Sequence, residues 1–286
     1  MGNYQVTEGM NIFHAVFLGL LQGITEFLPV SSSGHLVLAQ RILGISAPTL
    51  FFDVMLHCGT LLAVMVALRN DLWNLIRRPF QHITALLVVA TAVTVVIALF
   101  FKDRIEEAFS TGQWLGQAFL LTALALFVSE YLSSRPGSPR NDAEMNWFDA
   151  LFIGFLQGIA ITPGISRSGF TLAGALSRKL ERNLAIRFSF LLAIPAILGA
   201  LVLQLRELYV IYSYQSVNPE ASAGVIIGIG PVALIAGTLT AALVGFASVM
   251  FMFKLIRERS LAGFGIYTAL LGILVLLDQN VFHVVF

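Results

Sequence analysis

Charge is scarce in this chain: Asp, Glu, Lys and Arg make up only 12% of its 286 residues, against 57% hydrophobic residues, and the mean hydropathy is +0.85. So little charge cannot clothe a water-soluble domain in a polar shell, which leaves the membrane as its medium. A net charge of +1 provides no basic field, so nucleic acid is excluded as a partner. Cysteine is nearly absent. Cys58 is the single one, which rules out an intrachain disulfide and leaves it a small packing residue. The stretch MGNYQVTEGM has no Lys or Arg before the first apolar run, so a cleaved secretory signal is not expected. Val6 occupies the position where myristoylation needs Ser or Thr.

What is plentiful is long apolar sequence. A crossing needs about 20 mostly apolar residues, and six segments qualify, at 50–68, 82–101, 114–131, 188–205, 225–250 and 261–277. Two regions are too short and too polar at the centre. In 11–44 an apolar run meets QGITEFLPVSSSGH, and in 148–177 another meets TPGISRSG. Arms of such length, rising about 1.5 Å per residue, reach only part way through a core about 30 Å thick. Each region therefore reads as a re-entrant hairpin with its tip inside the membrane.

Basic loops orient the chain. Those with Arg69, Arg77 and Arg78, with Arg178, Lys179, Arg182 and Arg187, and with Lys254, Arg257 and Arg259 are placed in the cytoplasm. The loops with Lys102, Asp103, Arg104, Glu106 and Glu107 and with Arg206, Glu207 and Glu220 are placed outside. A shift of 135 residues carries Leu21, Gln22, Gly23 and Ile24 onto Leu156, Gln157, Gly158 and Ile159, and Ser31, Ser33 and Gly34 onto Ser166, Ser168 and Gly169. The expected plan is therefore one all-α membrane domain over 1–286, built as an inverted repeat. Repeat one spans 10–132, a linker 133–147, and repeat two 148–280, each with one hairpin and three crossings.

The hairpin tips hold the chemistry. Between Glu8 and Asp53 the only carboxylate is Glu26, and between Asp149 and Arg178 the only charged residue is Arg167. A charge at bilayer depth costs about 3 kcal/mol on insertion scales, so each needs a partner or a role. A plain ion pair would satisfy both but leaves the surrounding hydroxyls unexplained: Ser31, Ser32 and Ser33 on one tip, Ser166, Ser168 and Thr171 on the other. Gly34 and Gly169 permit close approach, Pro29 and Pro163 break the incoming arms, and each tip starts a helix, which makes an anion site. Arg167 adds a planar fork suited to phosphate. His35 follows Ser32 by one turn, and Gln22 precedes Glu26 by one turn on the same face. Asp53 and His57 form a weaker polar pair, while His14, His82 and His283 have no neighbouring chemistry.

LQGITEFLPVSSSGH and PGISRSGFT, with FFDVMLHCGTLLAV and FSFLLAIPAILGA, resemble the undecaprenyl-pyrophosphate phosphatase (bacitracin-resistance) family over nearly the whole chain. The resemblance implies a multi-pass enzyme of the bacterial cytoplasmic membrane. It would hydrolyse undecaprenyl pyrophosphate to the monophosphate, recycling the lipid carrier of peptidoglycan synthesis, at a site open to the outer face. It also implies Glu26, Ser32, His35 and Arg167 as catalytic residues, Ser166 and Thr171 as phosphate contacts, and a divalent cation, Mg2+ or Ca2+, near Glu26 and Gln22. Some members carry glutamate where this chain has Gln22. In the expected mechanism Ser32 attacks the terminal phosphorus and His35 takes its proton, or water attacks directly. Ser31, Ser33, Gly34, Ser168 and Gly169 complete the phosphate cradle. A translocase for polyprenyl phosphate or an anion transporter would suit the architecture equally, and a homodimer is left open.

Overall fold

The computed structural model describes residues 10–45, 49–217 and 229–286. Outside them lie the N-terminal stretch with Val6 and Glu8, Glu220, and the first residues of the crossing expected from position 225; the side chains of Lys102, Asp103, Glu106 and Glu207 are likewise outside. The described residues are helical throughout and contain no strand beyond two isolated bridges. In chain order the helices are α1 (Ile12–Thr25), α2 (Ser32–Ile42), α3 (Leu50–Ala67), α4 (Arg69–Arg77), α5 (His82–Phe100) and α6 (Lys102–Thr111). They continue with α7 (Leu115–Ser133), α8 (Trp147–Ile159), α9 (Arg167–Ser177), α10 (Arg182–Val217), α11 (Pro231–Glu258) and α12 (Ala262–Leu277).

Six of these are long and apolar enough to cross a membrane: α3, α5, α7, α10, α11 and α12. Large apolar side chains on them face outward, among them Val88, Val96, Leu99, Leu124, Val202, Leu243, Leu270 and Leu274. An apolar belt of that extent suits lipid and not water. The chain is a multi-pass membrane protein. Two segments expected as loops are instead helices, α4 and α6, the former with Trp73 and Ile76 exposed between its charges. Alternating charged and apolar residues make short helices that lie along a surface, which a count of loop charges overlooks.

The four arms α1, α2, α8 and α9 have 14, 11, 13 and 11 residues. Pairs α1–α2 and α8–α9 form two hairpins. Their outer arms pack through glycine: a Cβ at Gly19 would lie 2.3 Å from the Gly237 carbonyl oxygen of α11, and one at Gly154 would lie 2.4 Å from the Ala90 carbonyl oxygen of α5. Among lipid tails such close backbone contact, rather than burial from water, holds helices together. Further pairs are α7 with α12, α3 with α11, α5 with α10, and α9 with both α7 and α10. Phe27, at the end of α1, is fully buried and edge-on to Phe190, which in turn meets Phe253. This aromatic stack fixes the floor under the first tip.

Candidate active site

α1 stays helical through Glu26, whose N–H donates to the Gln22 carbonyl at 3.0 Å. The two side chains are therefore one turn apart on one face, as their spacing predicts. Pro29 follows and ends the arm. Ser31 then takes φ 72°, a backbone conformation costly for a residue with a Cβ, and caps α2 by accepting from Gly34 N–H at 3.3 Å. The second tip repeats the device at the shifted position: Ser166 caps α9 by accepting from Gly169 N–H at 3.1 Å.

The tips meet. A Cβ at Gly34 would lie 3.0 Å from the Gly164 Cα, and Ser168 Oγ donates to the Leu28 carbonyl at 2.8 Å. Glu26 is the hub of the junction. Its Oε1 accepts from Arg167 Nη2 at 2.8 Å, and its Oε2 accepts from Ser32 Oγ at 2.6 Å and Gln22 Nε2 at 2.9 Å. Arg167 Nη2 also reaches the Glu26 carbonyl at 3.4 Å. Two buried polar atoms at this hub are left without partners, Gln22 Oε1 and Arg167 Nη1. Such orphans are costly unless a ligand supplies what they lack. A guanidinium N–H suits an anion and an amide oxygen suits a hard cation.

Around the hub, Ser31 Oγ and Ser33 Oγ are 3.4 Å apart, and Ser166 Oγ and Ser168 Oγ 3.2 Å. Thr171 donates to the Arg167 carbonyl at 2.9 Å and pairs with the Ser189 hydroxyl of α10, so it braces the arginine's own backbone. His35 is placed differently from its expected role. Its Nδ1 donates to the Ser31 carbonyl at 2.7 Å and its Nε2 faces the Tyr267 hydroxyl at 2.7 Å, with the two rings stacked. Both nitrogens are occupied, and the acceptor beside Ser32 is the Glu26 carboxylate.

Asp53 and His57 do not form a carboxylate–imidazole pair. Asp53 accepts from Gln40 and Thr49, each at 2.9 Å, whereas His57 Nδ1 donates to the Asp53 main-chain carbonyl at 2.7 Å. His57 Nε2 points to Glu26 Oε2, 3.9 Å away. Among the described residues no three His, Cys, Asp or Glu side chains cluster as a metal site. A cation that prefers oxygen ligands would have the Glu26 carboxylate and the unpartnered Gln22 Oε1 to draw on at the hub. Of the remaining histidines, His82 Nε2 bonds the Met145 carbonyl at 2.8 Å. Tyr267 sits in an apolar span with no motif around it, so nothing in the sequence pointed to it.

Six helices long and apolar enough to cross a membrane, with a buried carboxylate that bonds a part-buried hydroxyl and guanidinium, define a multi-pass membrane protein with an internal polar site. The chain belongs to the bacitracin resistance protein BacA family, whose model matches residues 15–274. It is 42% identical over 271 residues to an undecaprenyl-diphosphatase of Carboxydothermus hydrogenoformans, covering 94% of this chain and 98% of that one. It is 41% identical over 270 residues to undecaprenyl-diphosphatase 3 of Bacillus cereus, with the same shares. An undecaprenyl-diphosphatase of Halothermothrix orenii is 35% identical over 275 residues, covering 96% of this chain and all of its own.

Proposed function

We propose that this chain is an undecaprenyl-diphosphatase, hydrolysing undecaprenyl diphosphate to undecaprenyl phosphate and inorganic phosphate. The observation that carries the proposal is the hub at Glu26, where a hydroxyl nucleophile, its base and a phosphate-binding arginine meet between two helix N-termini. Ser32 donates to Glu26 at 2.6 Å, so Glu26 is the group poised to take its proton. Ser32 Oγ attacks the terminal phosphorus, the bond to the bridging oxygen breaks, and undecaprenyl phosphate leaves. Glu26 hands that proton to the departing phosphate, and water then releases phosphate from the serine with Glu26 as base again. Arg167 turns its orphaned Nη1 to a phosphate oxygen, and the first-turn N–H groups of α2 and α9 face the same charge. Ser31, Ser33, Gly34, Ser166, Ser168, Gly169 and Thr171 shape that cradle. His35 acts here by holding Ser31 and not by moving the proton.

A divalent cation, Mg2+ or Ca2+, would be held by Glu26 and the Gln22 oxygen, and would neutralise charge on the diphosphate. The enzyme acts in the bacterial cytoplasmic membrane. α1, α2, α8 and α9 are each about 16–21 Å long by helical rise, short of a core about 30 Å thick, which suits re-entrant hairpins. The packing of α1 on α11 and of α8 on α5 exchanges equivalent helices between the halves, as an inverted repeat requires. With the basic loops in the cytoplasm the site opens outward, recycles the lipid carrier for peptidoglycan, and raises resistance to bacitracin.

Release of inorganic phosphate from a prenyl diphosphate by the purified protein in detergent tests the proposal, since no gradient exists there to drive transport. Ser32→Ala should abolish release. Substantial residual turnover would exclude the covalent route in favour of direct attack by water, and no release by the parent chain would sink the enzymatic reading.

A further inference from the structure

We infer that the outer face of α4 is a docking surface for anionic phospholipid headgroups, with arginines to meet the phosphates and large apolar side chains to meet the glycerol and first acyl carbons. The inference concerns residues outside the hub and does not depend on the diphosphatase reading.

Helical register carries this. Arg69, Trp73, Ile76 and Arg77 stand at i, i+4, i+7 and i+8, so they share one face. All four are exposed, Trp73 by 53% and Ile76 by 69%. The opposite face is the one that docks on the protein: Leu72 and Leu75 pack against the core, and Asp71 pairs with Arg187 of α10. Asp71, Asn74 and Leu75 also line a cleft with Asp142 on that docked side, and none of the four outer residues reaches it. Apolar side chains turned out from the body in this way mark an interaction site.

Place and charge name the occupant. α4 joins the end of α3 to the start of α5, both long and apolar enough to cross, so it lies at the bilayer surface. Arg69, Arg77 and the following Arg78 are exposed, and among the described residues none has a carboxylate within ion-pair distance. Arg69 reaches only the Val66 carbonyl, at 3.4 Å, and the Arg77 guanidinium lies 4.6 Å from the Trp73 ring centre. Stacked on the indole, the guanidinium keeps its N–H edges for an anion, and the indole takes the interfacial depth that tryptophan prefers. Phe80, wholly exposed just past Arg78, extends the apolar side. Unpaired arginines among aromatic side chains at a membrane surface attract anionic lipid. Zwitterionic lipid would satisfy the apolar side chains and leave three positive charges uncompensated.

The test reads Trp73 fluorescence in the full-length chain, with Trp114→Phe and Trp147→Phe removing the other two tryptophans. The chain is reconstituted in equimolar phosphatidylglycerol and phosphatidylcholine, with bromine on the acyl chains of one lipid or of the other, so that only the quencher moves. Brominated phosphatidylglycerol should quench the more strongly, with a relative association of about fivefold or more, the share of one arginine near an anionic surface. The preference should shrink in high salt. It should vanish when Arg69→Gln, Arg77→Gln and Arg78→Gln are combined, with circular dichroism and Tm matching the parent because none of the three pairs with an acid. Equal quenching by the two lipids would overturn the inference, as would a preference that survives the triple substitution. Absence of quenching by either lipid would overturn it too, placing the face in water and leaving it to a soluble partner or a second copy of the chain. Phosphate release plays no part in the readout, so the outcome stands whether or not the chain is a diphosphatase.

Discussion

Arg167 and Tyr267 mark two ways in which single side chains serve the site. Arg167 places Nη2 on Glu26 and leaves Nη1 free of partners; a lysine would keep the charge but has no second nitrogen in a fixed fork. Arg167→Lys should therefore retain the fold and lose about a hundredfold or more in kcat/KM, in line with the removal of one preorganised donor. Steady-state phosphate release with thermal unfolding as the control checks this. Tyr267 touches the reaction only through His35 and Ser31, and holds the strained cap from which Ser32 projects. Tyr267→Phe should lower kcat by about tenfold, the equivalent of one hydrogen bond of about 1.4 kcal/mol, with KM unchanged. A change confined to KM would show that the tyrosine binds substrate instead.

Helices in this protein are placed by backbone contact, so glycine positions carry the cost of change. A Cβ at Gly19 meets a carbonyl oxygen, whereas one at Gly199 in α10 meets nothing within 4 Å. Gly19→Ala should destabilise the protein by about 1–3 kcal/mol through forced separation of α1 and α11. Gly199→Ala should be neutral or stabilising by up to about 1 kcal/mol, from helix propensity alone. Thermal unfolding of the two variants in one detergent makes the comparison. At this scale the sequence was a good guide where composition decides. The spans 50–68, 82–101 and 114–131 match α3, α5 and α7 to within two residues, because a run of apolar side chains leaves the chain no alternative in lipid. It was a poor guide where an apolar run gives way to mixed charged and apolar sequence. α4 and α6 looked like loops, and α10 runs on to Val217, twelve residues beyond the expected end at 205. At the site, Glu26, Ser32, Gln22 and Arg167 were legible as polar residues in apolar surroundings. The turn of His35 away from Ser32 was not, since its partner Tyr267 is 232 residues distant in sequence.

For the whole molecule, the segment between α7 and α8 is held by a salt-bridged strap. Asp149, fully buried, accepts from Arg140 Nη1 and Nη2 at 3.0 and 2.7 Å and from Arg178 Nε at 2.8 Å. Arg140 also pairs its backbone with Lys179 and Glu181. The linker is thereby bound to the base of the second hairpin. Asp149→Asn would leave two guanidinium groups without their anion and should cost about 3–5 kcal/mol. The expected readouts are a lower Tm and faster tryptic cleavage after Arg140; unchanged cleavage would mean that the backbone bridge suffices. The contact of Glu26 with Arg167 has a consequence in time as well. These partners are 141 residues apart in the chain, so at typical synthesis speeds a ribosome delivers the carboxylate on the order of ten seconds before the guanidinium. For that interval the newborn first half carries an acidic group with no counter-charge toward the bilayer, and its burial must wait for the second half to arrive.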